Sequence, residues 1–554
     1  GPPPPLCRTL NMDQDGDVDM ADFVLFQGVF GQTCQNAAPC QTGADCDDGV
    51  FCNGLETCVD GGCVRGEPPC TGLICDEVND RCIECVSDVG CDNGVFCDGV
   101  EHCVDGVCVS GELPCGGLLC DEANARCVEC LADSDCDDGV FCNGVEQCVN
   151  GYCVSGSPPC ANPDLPQCSE FGDLCIPACT AAWQTAMGNP GMNGLVSALA
   201  FFDDGNGSAL YAGGEFTTAG GVTVNRIAKL NGNVWLALPG GGMNGAVRAL
   251  VVFNDDSGPA LYAGGDFTMA GGVSVSRIAR WNGTSWSAVG SDVNGNVRTL
   301  AIFDSGSGPE LCAGGEFTQA SGLVVNRVAR WRPGLGMWWP LGTGTNAAVY
   351  TLTAYNDGNG PALYAGGLFT QAGGASVSAL AKWNGSAWLD VGGGVHMIYH
   401  AGDTPYVNDL EVFDDGTGPG LYVAGWFDRI GTIGWWGIGR WDADGWSTVG
   451  DGLAGTGGND PSVSSIGVFD DGASGLTIYI SGIFEKGAAH LMARLNRGTN
   501  AWLPVGSGVG EGIAQVLVGG VEQGIPALYA GGSFTLAGGQ TANRIAKWGC
   551  SLLP

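Results

Sequence analysis

The sequence predicts a mainly β protein, and two observations carry this prediction. A segment of the form Leu-Tyr-Ala-Gly-Gly-x-Phe recurs every 50 to 58 residues in the second part of the chain. Its phenylalanine occupies seven positions: Phe216, Phe267, Phe317, Phe369, Phe427, Phe484 and Phe534. In the first part, 27 of the 29 cysteines precede Thr180. The fixed period is typical of repeat architectures, and the dense cysteines indicate a disulfide framework.

Each of the seven repeats contains four short segments of strand character. In the second repeat they are predicted at 247–253, 260–267, 276–281 and 285–289, with turn-forming Gly, Asn and Asp between them. Four-stranded meanders that repeat radially bury their faces against one another in a β-propeller. We therefore predict a seven-bladed β-propeller over residues 179–554.

The two ends of this region are predicted to complete one blade together. The seventh repeat ends near Trp548 without a fourth strand, and residues 182–188 look like that strand without a repeat. Cys179 and Cys550 flank this seam, so we predict a disulfide between them that closes the ring.

Charged residues recur within the repeats. Eleven residues separate Glu215 from Arg226, and the same spacing joins Asp266 to Arg277. We interpret these as cross-strand ion pairs within a blade. A second basic position, Lys229 in the first repeat, is filled by Lys or Arg in every repeat, and we interpret it as architectural.

Residues 11–22 are predicted to form a calcium loop. Oxygen-bearing side chains stand at the spacing that a hard cation requires in a tight loop, with a glycine at the sixth position. The predicted ligands are Asn11, Asp13, Asp15, Asp17, Asp19 and Asp22. Three phenylalanines at helical spacing follow within 22–30 and predict a short amphipathic helix. An acidic turn that binds no metal is the alternative.

The loop and helix, within residues 1–36, resemble one half of a dockerin module. The resemblance implies Ca²⁺ as the cofactor. A dockerin has two such halves and one is present here, so cohesin binding is not inferred. Cys7 and Cys34 bracket the segment and are predicted to pair.

Residues 37–178 contain three cysteine repeats of 45 residues. Cys40, Cys85, Cys130 and Cys175 are interpreted as equivalent positions, and each repeat has eight cysteines. Eight cysteines allow four disulfides, but the sequence does not determine their pairing. Domains this small depend on their bridges for stability, and three in series without a flexible linker predict a stiff rod.

Acidic and amide side chains also recur in the cysteine repeats, as Asp47, Asn53 and Glu56 show in the first. They could ligate calcium, but solvated turns in an acidic protein are the interpretation we favour. Zinc is less favoured because histidine is rare. The motif Asp-Cys-Asp-Asp-Gly-Val-Phe-Cys-Asn-Gly resembles the cysteine-rich repeats of large secreted proteins from planctomycetes and myxobacteria. The resemblance covers residues 40–175 and implies a surface location.

Composition restricts the compartment and the partners. The net charge is −38, and 32 of the 59 acidic residues precede Thr180, against 4 arginines. This charge disfavours nucleic acid and anionic membranes as partners. The cysteines indicate secretion into an oxidising compartment, and no apolar run reaches the ~18 residues of a membrane span. The chain opens on Gly-Pro without Met, which we interpret as processing or truncation.

The repeats over residues 180–549 resemble kelch-type and related bacterial propeller repeats, and the shared marks are the Gly-Gly doublet and the tryptophan pair. This resemblance implies a fold and no particular function. His396 and His400 lie in an expanded loop whose glycines disfavour a metal-binding helix, and Cys312 is predicted to be a buried free thiol. Since no catalytic constellation is found, we expect a protein that is not an enzyme.

The fourth and fifth repeats are longer than the others and carry Trp426, Trp435 and Trp436, so ligand binding is predicted on this side. The favoured function is a secreted structural or adhesive protein. It would form a calcium-stabilised fibre, a homopolymer joined head to tail through the N-terminal helix and the propeller. The first alternative is a cell-surface module that binds a glycan or a surface protein. The second is a secreted enzyme with a catalytic propeller.

Overall fold

The computed structural model describes sixteen segments: 40–47, 51–76, 78–116, 118–138, 141–161, 167–169, 173–176, 181–185, 187–188, 190–255, 257–400, 402–455, 460–470, 475–486, 489–522 and 525–550. The predicted calcium loop, its helix and the Cys7–Cys34 pair lie outside these segments. The chain divides into two compact units, 1–138 with 146–155 and 139–145 with 156–554. Within the described segments, no helix has the length and apolar character needed to cross a membrane.

The three cysteine repeats share one disulfide pattern, which joins the first cysteine to the fourth, the second to the fifth, the third to the seventh and the sixth to the eighth. The first repeat has Cys40–Cys58, Cys46–Cys63, Cys52–Cys75 and Cys70–Cys82. The second has Cys85–Cys103, Cys91–Cys108, Cys97–Cys120 and Cys115–Cys127. The third has Cys130–Cys148, Cys136–Cys153, Cys142–Cys168 and Cys160–Cys175.

This pattern corrects one sequence-based equivalence. Cys175 pairs as the eighth cysteine of the third repeat, so it does not correspond to Cys40. The third repeat has three more residues than the others between its sixth and seventh cysteines, Cys160 and Cys168. Because of this insertion, the eighth cysteine of the third repeat lies 45 residues after Cys130, which is also the spacing between the first cysteines of successive repeats.

Regular structure in the cysteine repeats is limited to hairpins and single turns. The hairpin strands are Thr57–Val59 with Gly62–Val64, Ile74–Asp76 with Arg81–Ile83, His102–Val104 with Val107–Val109, Leu119–Asp121 with Arg126–Val128, Gln147–Val149 with Tyr152–Val154, and Gln167–Ser169 with Leu174–Ile176. The 3-10 turns are Gly43–Asp45, Phe51–Asn53, Asp88–Gly90, Glu122–Asn124, Asp133–Asp135 and Phe141–Asn143.

The repeats after residue 181 form seven four-stranded antiparallel sheets, which we number in chain order. Sheet 1 has Val196–Asp203, Ser208–Gly214, Ile227–Asn231 and Val234–Leu236. Sheet 2 has Val247–Asn254, Pro259–Gly265, Ile278–Trp281 and Trp286–Ala288. Sheet 3 has Val297–Asp304, Pro309–Gly315, Val328–Arg332 and Met337–Pro340, with a 3-10 turn at Pro333–Leu335. Sheet 4 has Val349–Asn356, Pro361–Gly367, Leu380–Trp383 and Trp388–Asp390.

Sheet 5 has Tyr406–Asp414, Pro419–Trp426, Ile438–Asp442 and Gly445–Thr448. Sheet 6 has Ser462–Phe469, Thr477–Lys486, Ala489–Asn496 and Ala501–Pro504. Sheet 7 has Ala514–Glu522, Ile525–Gly532, Ile545–Gly549 and Ala182–Gln184. We call the first strand of each sheet, in the order given, its inner strand and the fourth its outer strand.

Short ribbons lie beside the sheets, at glycine-containing turns for which the sequence predicts no strands. They are Thr218–Ala219 with Val222–Thr223, Met269–Ala270 with Val273–Ser274, Gln319–Ala320 with Leu323–Val324, Gln371–Ala372 with Ala375–Ser376, Val395–His396 with Arg429–Ile430 and Ile433–Gly434, and Val509–Gly510 with Leu536–Ala537 and Gln540–Thr541.

The inner strands form a closed ring. Each contacts the inner strand of the next sheet, and that of sheet 7 contacts that of sheet 1. At the seam, Ala182–Gln184 pairs with Ile545–Gly549, and Trp183 lies opposite Trp548. Cys550 is disulfide-bonded. Its predicted partner Cys179 lies outside the described residues, so that pairing stays a prediction.

The Gly-Gly doublet at the end of the second strand, present in sheets 1 to 4 and 7, permits adjacent sheets to pack closely. A Cβ atom on Gly213 of sheet 1 would lie 2.5 Å from Val247 Cγ1 of sheet 2. The matching distance from Gly264 to Val297 Cγ1 of sheet 3 is 2.7 Å. Since real Cβ atoms do not approach other atoms this closely, a side chain at either glycine would push two sheets apart.

Tryptophans of the outer strands join neighbouring sheets. Trp338 is fully buried, and its Nε1 donates a hydrogen bond to the Val289 carbonyl that follows sheet 2, at 3.0 Å. Trp388 donates to Leu341 O in the same way, and Trp183 of sheet 7 donates to Val505 O, which follows sheet 6. The recurring tryptophan therefore links each of these sheets to the one before it.

The predicted ion pairs at eleven-residue spacing are wrong. Arg226 has a φ of 73°, and its Nη1 donates to the carbonyl of Met243 in the segment that leads into sheet 2. Arg544 has the same φ and donates to Met192 O, which joins sheet 7 to sheet 1. Arg277, with a φ of 69°, donates to the backbone carbonyl of Asp266 at 3.1 Å and not to its carboxylate. Arg226 and Arg277 therefore bond backbone carbonyls and form no ion pair with the acid eleven residues before them.

The second basic position belongs to a buried cluster of an acid, a tyrosine and a base. In sheet 1, Asp204 Oδ2 accepts hydrogen bonds from Tyr211 Oη at 2.9 Å and from Lys229 Nζ at 2.6 Å. Sheets 2, 4 and 5 repeat this arrangement with Asp255–Tyr262–Arg280, Asp357–Tyr364–Lys382 and Asp415–Tyr422–Arg440. In these sheets the base is thus a structural partner of the hairpin turn.

Sheet 3 departs from this cluster. Cys312 stands in place of the tyrosine and Ser305 in place of the acid, and Arg330 instead pairs with Glu310 at 2.9 Å. Cys312 is fully buried and is the free cysteine among the described residues. Burial raises the pKa of its thiol, so it is a poor nucleophile.

Candidate ligand site at the centre of the ring

Each inner strand begins with a β-bulge. The register of sheet 1 skips one residue between Val196 and Ala198, and the other six sheets show the same shift. A bulge leaves its extra residue unpaired and redirects its side chain. The skipped residues are Ser197, Arg248, Arg298, Tyr350, Asn408, Ser464 and Gln515.

These seven side chains, together with Tyr406, line one cavity of about 410 Å³. Because one lining residue comes from each strand of the inner ring, the cavity lies at the centre of the ring, at the end where the inner strands begin. We call this cavity the channel mouth. It is assembled by all seven sheets, and no single repeat contains it.

One side of the channel mouth is charged. Arg248 donates to both carboxylate oxygens of Asp266, through Nε at 2.7 Å and Nη2 at 2.5 Å. The hydrogen bond that Arg248 donates to Asp266 raises the pKa of this arginine above its usual value. Arg298 donates from Nε to Glu316 Oε1 at 2.8 Å, and Glu215 lies 3.8 Å from Arg248. Two arginines are thus held by three carboxylates.

The adjoining side is aromatic. The guanidinium of Arg298 lies over the ring of Tyr350, 5.0 Å from its centroid. Tyr350 contacts Tyr406 edge to face at 6.5 Å between centroids, and Tyr406 contacts Trp426 at 5.6 Å. Trp426 and Leu368 occupy the position that holds an acid in sheets 1 to 3. At Trp426, the replacement of the acid by an aromatic residue therefore extends the aromatic side.

This composition suits a neutral, polyhydroxylated ligand. The two arginines and three carboxylates nearly cancel, so the channel mouth is not a site for a strongly charged partner. Aromatic rings beside side-chain amides and hydroxyls combine apolar faces with hydrogen-bonding groups that fix orientation. Ser197, Ser464, Asn408 and Gln515 supply those polar groups.

The three tryptophans predicted to bind ligand are placed differently. Trp426 joins the aromatic side of the channel mouth through Tyr406. Trp436 stacks on Tyr399 at 5.9 Å with nearly parallel rings, and Tyr399 is 73% exposed. Trp435 packs against the buried cluster shared by sheets 4 and 5. Trp426 and Trp436 can therefore contribute ligand surface, while Trp435 serves packing.

Asp428 anchors the expanded loop that carries the two histidines. Its fully buried carboxylate accepts hydrogen bonds from the backbone nitrogens of Ile398 and Tyr399 at 2.7 to 2.8 Å. His400 Nε2 lies 2.7 Å from Asp460, and His396 belongs to a ribbon. Neither histidine joins a cluster of potential metal ligands in the described part of the chain.

Sequence reasoning missed two carboxyl groups on the inner strand of sheet 5. Asp409 accepts hydrogen bonds from Ser465 Oγ at 3.0 Å and from the Ile466 nitrogen at 2.8 Å, so it joins sheets 5 and 6. Burial raises the pKa of Asp409 to about 6. Burial and then the charge of Asp409 raise the pKa of Glu411 to about 8. Their only sequence signal is two acids at alternate positions where other inner strands are apolar or small.

The sequence also did not predict the channel mouth. Its signal was a single position, after the first valine of six inner strands and after Ala514 in the seventh, where Ser, Arg, Arg, Tyr, Asn, Ser and Gln stand. Polar residues there look like ordinary solvated strand residues. They become a site because the bulges and the ring bring them together.

The fold and this cavity define a propeller-like domain that follows a disulfide-rich region. Residues 210–233 match the family model described as a domain of unknown function (DUF5122) beta-propeller. No curated protein matches the chain.

Several solved structures resemble the chain distantly. U3-55K is 13% identical with a TM-score of 0.36, over 67% of this chain and 98% of that chain. The GH74 enzyme of Niastella koreensis is 14% identical with a TM-score of 0.39, over 64% of this chain and 52% of that chain. The extracellular domain of a hybrid two-component system from B. thetaiotaomicron is 12% identical with a TM-score of 0.34, over 64% and 38%. Likenesses this low carry no conclusion about function.

Proposed function

We propose that this chain is an extracellular, non-catalytic adhesive protein, in which a seven-bladed, kelch-like β-propeller binds a neutral glycan at the channel mouth. The observation that carries the proposal is the channel mouth itself. Seven bulge residues from seven inner strands converge on one cavity, with arginines on one side and tyrosines on the next. Residues that served packing alone would not need this mixture of side chains.

Two further features support parts of the proposal. Seven four-stranded sheets whose inner strands form a closed ring support the blade number. Twelve disulfides within three short repeats support an oxidising, extracellular compartment. The residues of the charged side of the mouth already pair with one another, which favours recognition over proton transfer.

Binding to an array of neutral and acidic glycans tests this function. Tyr350→Ala and Tyr406→Ala are expected to lower the affinity for the bound glycan at least about tenfold, because each removes an aromatic face from the cavity. Trp339→Ala is the matched control, since Trp339 is a partly exposed aromatic on the outer strand of sheet 3. Equal binding by all variants, or turnover of a glycan, would contradict the proposal.

The predictions for the N-terminal segment stay proposals supported by ligand spacing. We propose that the loop from Asn11 to Asp22 binds Ca²⁺ and that the helix after it contributes to head-to-tail assembly into a fibre. Electron microscopy of the full chain with calcium and after chelation tests this assembly. Fibres that fray on chelation would support it, and single particles in both conditions would refute it.

A further inference from the structure

A buried glutamate recurs at one position of all three cysteine repeats. Glu56, Glu101 and Glu146 are 9%, 7% and 8% exposed, among the few charged side chains buried in the described part of the chain. The Oε1 atom of each is buried and accepts no hydrogen bond. An ionised carboxylate without a partner in such a position is strongly disfavoured.

Other carboxylates of the same repeats accept hydrogen bonds from backbone nitrogens. Glu122 accepts hydrogen bonds from the backbone nitrogens of Phe96 and Cys97 at 2.9 and 2.8 Å. Glu84 and Asp88 accept from the nitrogens of Cys108 and Cys103. These small domains thus supply N–H donors to several carboxylates, and the three buried glutamates are an exception that occurs in every repeat.

The backbone around these glutamates is fixed by close contacts. Gly54 and Gly99 have φ values of 77° and 83°, and a Cβ atom on either would lie within 2.4 Å of a backbone oxygen, of Glu67 or Glu112. The segment that leads into Glu56 or Glu101 is therefore held against a second segment. The backbone that carries the glutamate is therefore closely packed, and the glutamate itself is buried.

Further carboxylates line the pocket of the glutamate in the first repeat, and one precedes it closely in the sequence of the second. Asp47 and Glu56 line the same pocket in the first repeat, with Asp80 and Glu67 also at its wall. In the second repeat, Asp98 Oδ2 accepts from Asn93 at 2.8 Å, while its buried Oδ1 accepts no hydrogen bond. Two oxygens without donors thus occur three residues apart, at Asp98 and Glu101.

Among the residues that the structure describes, no basic side chain forms an ion pair with these glutamates, and Arg65 is exposed. Residues 40–176 contain three arginines and no lysine. Arg81 and Arg126 already pair with Asp76 and Asp121 at 3.3 and 3.2 Å. The neighbouring cysteines are bridged and so cannot ligate a metal as thiolates. Carboxylate oxygens without soft ligands match a hard divalent cation, and calcium is the best fit.

We propose that each cysteine repeat binds one Ca²⁺ through its buried glutamate, Glu56, Glu101 or Glu146, with Asp47 contributing in the first repeat and Asp98 in the second. These three sites are separate from the loop at residues 11–22 and do not depend on glycan binding. The cation neutralises a carboxylate that is buried in domains too small to bury much else.

The test is a count of bound calcium on the full chain, by equilibrium dialysis against Ca²⁺ alone followed by elemental analysis. The isosteric triple variant Glu56→Gln, Glu101→Gln, Glu146→Gln is expected to bind three fewer ions than the natural chain. The control is Asp60→Asn with Asp105→Asn, two exposed hairpin acids at a left-handed position where the third repeat has Asn150. The control is expected to bind as many ions as the natural chain. Because the result is a difference between variants, an ion at residues 11–22 does not affect it.

Heat unfolding of the same variants separates a metal ligand from a structural residue. Without calcium, the triple glutamine variant is expected to melt at the same or a higher temperature than the natural chain, since an unpaired buried charge is removed. With calcium, only the natural chain and the control should gain stability in the cysteine repeats. Equal ion counts, or equal losses of stability with and without calcium, would overturn the proposal.

Discussion

The cysteine repeats and the ring of sheets are stabilised in different ways. Each cysteine repeat has four disulfides and leaves many apolar side chains exposed, such as Val78, Val89 and Val145, which are 83% to 89% exposed. The ring buries its tyrosines, tryptophans and the recurring phenylalanine almost completely. The comparison shows that covalent bridges replace a core in one region, while repetition builds a core in the other.

Charged groups are handled differently as well. In the ring, buried charges such as Asp204 and Lys229 occur in hydrogen-bonded clusters, and Glu411, whose pKa burial raises to about 8, is an exception. In the cysteine repeats, three buried glutamates each have an oxygen without a donor. The ring is therefore self-sufficient, whereas we propose that the repeats rely on a bound cation. Each prediction below tests one side of this contrast.

Reduction of the disulfides should have the largest effect on stability, and this effect should be confined to the cysteine repeats. Breaking four bridges in a repeat of 45 residues should unfold it, since removing even one native bridge from a small domain costs ~2–5 kcal/mol. The ring should stay folded because Cys312 is free and Cys550 is its single bridged cysteine in the described residues. Limited proteolysis with and without dithiothreitol should show rapid cleavage within 40–176 and a resistant fragment that contains 190–550. Resistance of both regions, or loss of both, would break the comparison.

Asp357→Asn should be the most damaging single change in the ring. Asp357 is 3% exposed and accepts from Tyr364 at 2.9 Å and from Lys382, so its loss leaves a buried ammonium unpaired. We expect a loss of ~3 kcal/mol in the free energy of unfolding of the ring, measured by denaturant titration. The control Asp444→Asn removes an exposed acid from sheet 5 and should cost less than ~0.5 kcal/mol.

The same residue predicts an acid dependence. Burial alone would raise the pKa of Asp357, but hydrogen bonds from Lys382 and Tyr364 outweigh burial and lower it to about 2. A carboxylate whose pKa is lower in the folded state stabilises the fold above its unfolded value near 3.8, and this contribution is lost as the pH falls towards 2. Acid titration of the natural chain should show this loss, and Asp357→Asn should lack it. Identical acid profiles of the two proteins would refute the role of the cluster.

Trp338→Phe tests the links between sheets. It removes the hydrogen bond to Val289 O and leaves a space at a fully buried position. The expected loss is ~2 kcal/mol, from the unsatisfied carbonyl and the smaller ring. The adjacent Trp339 is partly exposed, so Trp339→Phe should change stability by less than ~0.5 kcal/mol. Calorimetry of both variants measures these changes. Equal melting temperatures of the two variants would show that the hydrogen bond from Trp338 to Val289 O does not stabilise the ring.

Glu411→Gln should have the smallest effect and the opposite sign. The pKa of Glu411 is raised to about 8, so the folded state holds a proton that the unfolded state releases near 4.5. Stability from this group is therefore complete below pH 4.5 and is lost as the pH rises to 8. Glutamine should make the ring more stable at pH 8 by ~1–2 kcal/mol, with no gain at pH 4. A destabilised variant at pH 8 would mean that the carboxylate is held charged by a partner.

The sequence was sufficient to predict strands where a motif recurs at a fixed period, because each repeat then forms similar strands. The Leu-Tyr-Ala-Gly-Gly-x-Phe segment predicted four strands per repeat, and in sheet 2 the predicted segments overlap all four observed strands. The mainly β class and the disulfide-rich N-terminal region are confirmed. The pairing of eight cysteines was not predictable, because many pairings satisfy the same spacing.

The sequence did not predict the contacts that a side chain makes outside its own repeat. Arg226 was assigned to an acid in its own blade, but its Nη1 donates to a carbonyl in the segment before the next sheet. Arg298 and Tyr350 looked like separate strand residues until the bulges placed them at one cavity. Glu101 looked like a solvated turn residue, since burial in such a small domain depends on disulfides whose pairing the sequence left open.

Hydrogen–deuterium exchange of the full chain, in calcium and after chelation, tests the contrast between the two regions most directly. We predict that chelation raises exchange around the buried glutamates, at 52–58, 97–103 and 146–149, and leaves the seven inner strands unchanged. Equal exchange in both conditions throughout 40–176, or a calcium effect spread evenly over the inner strands, would contradict a division between cation-dependent repeats and a self-sufficient ring.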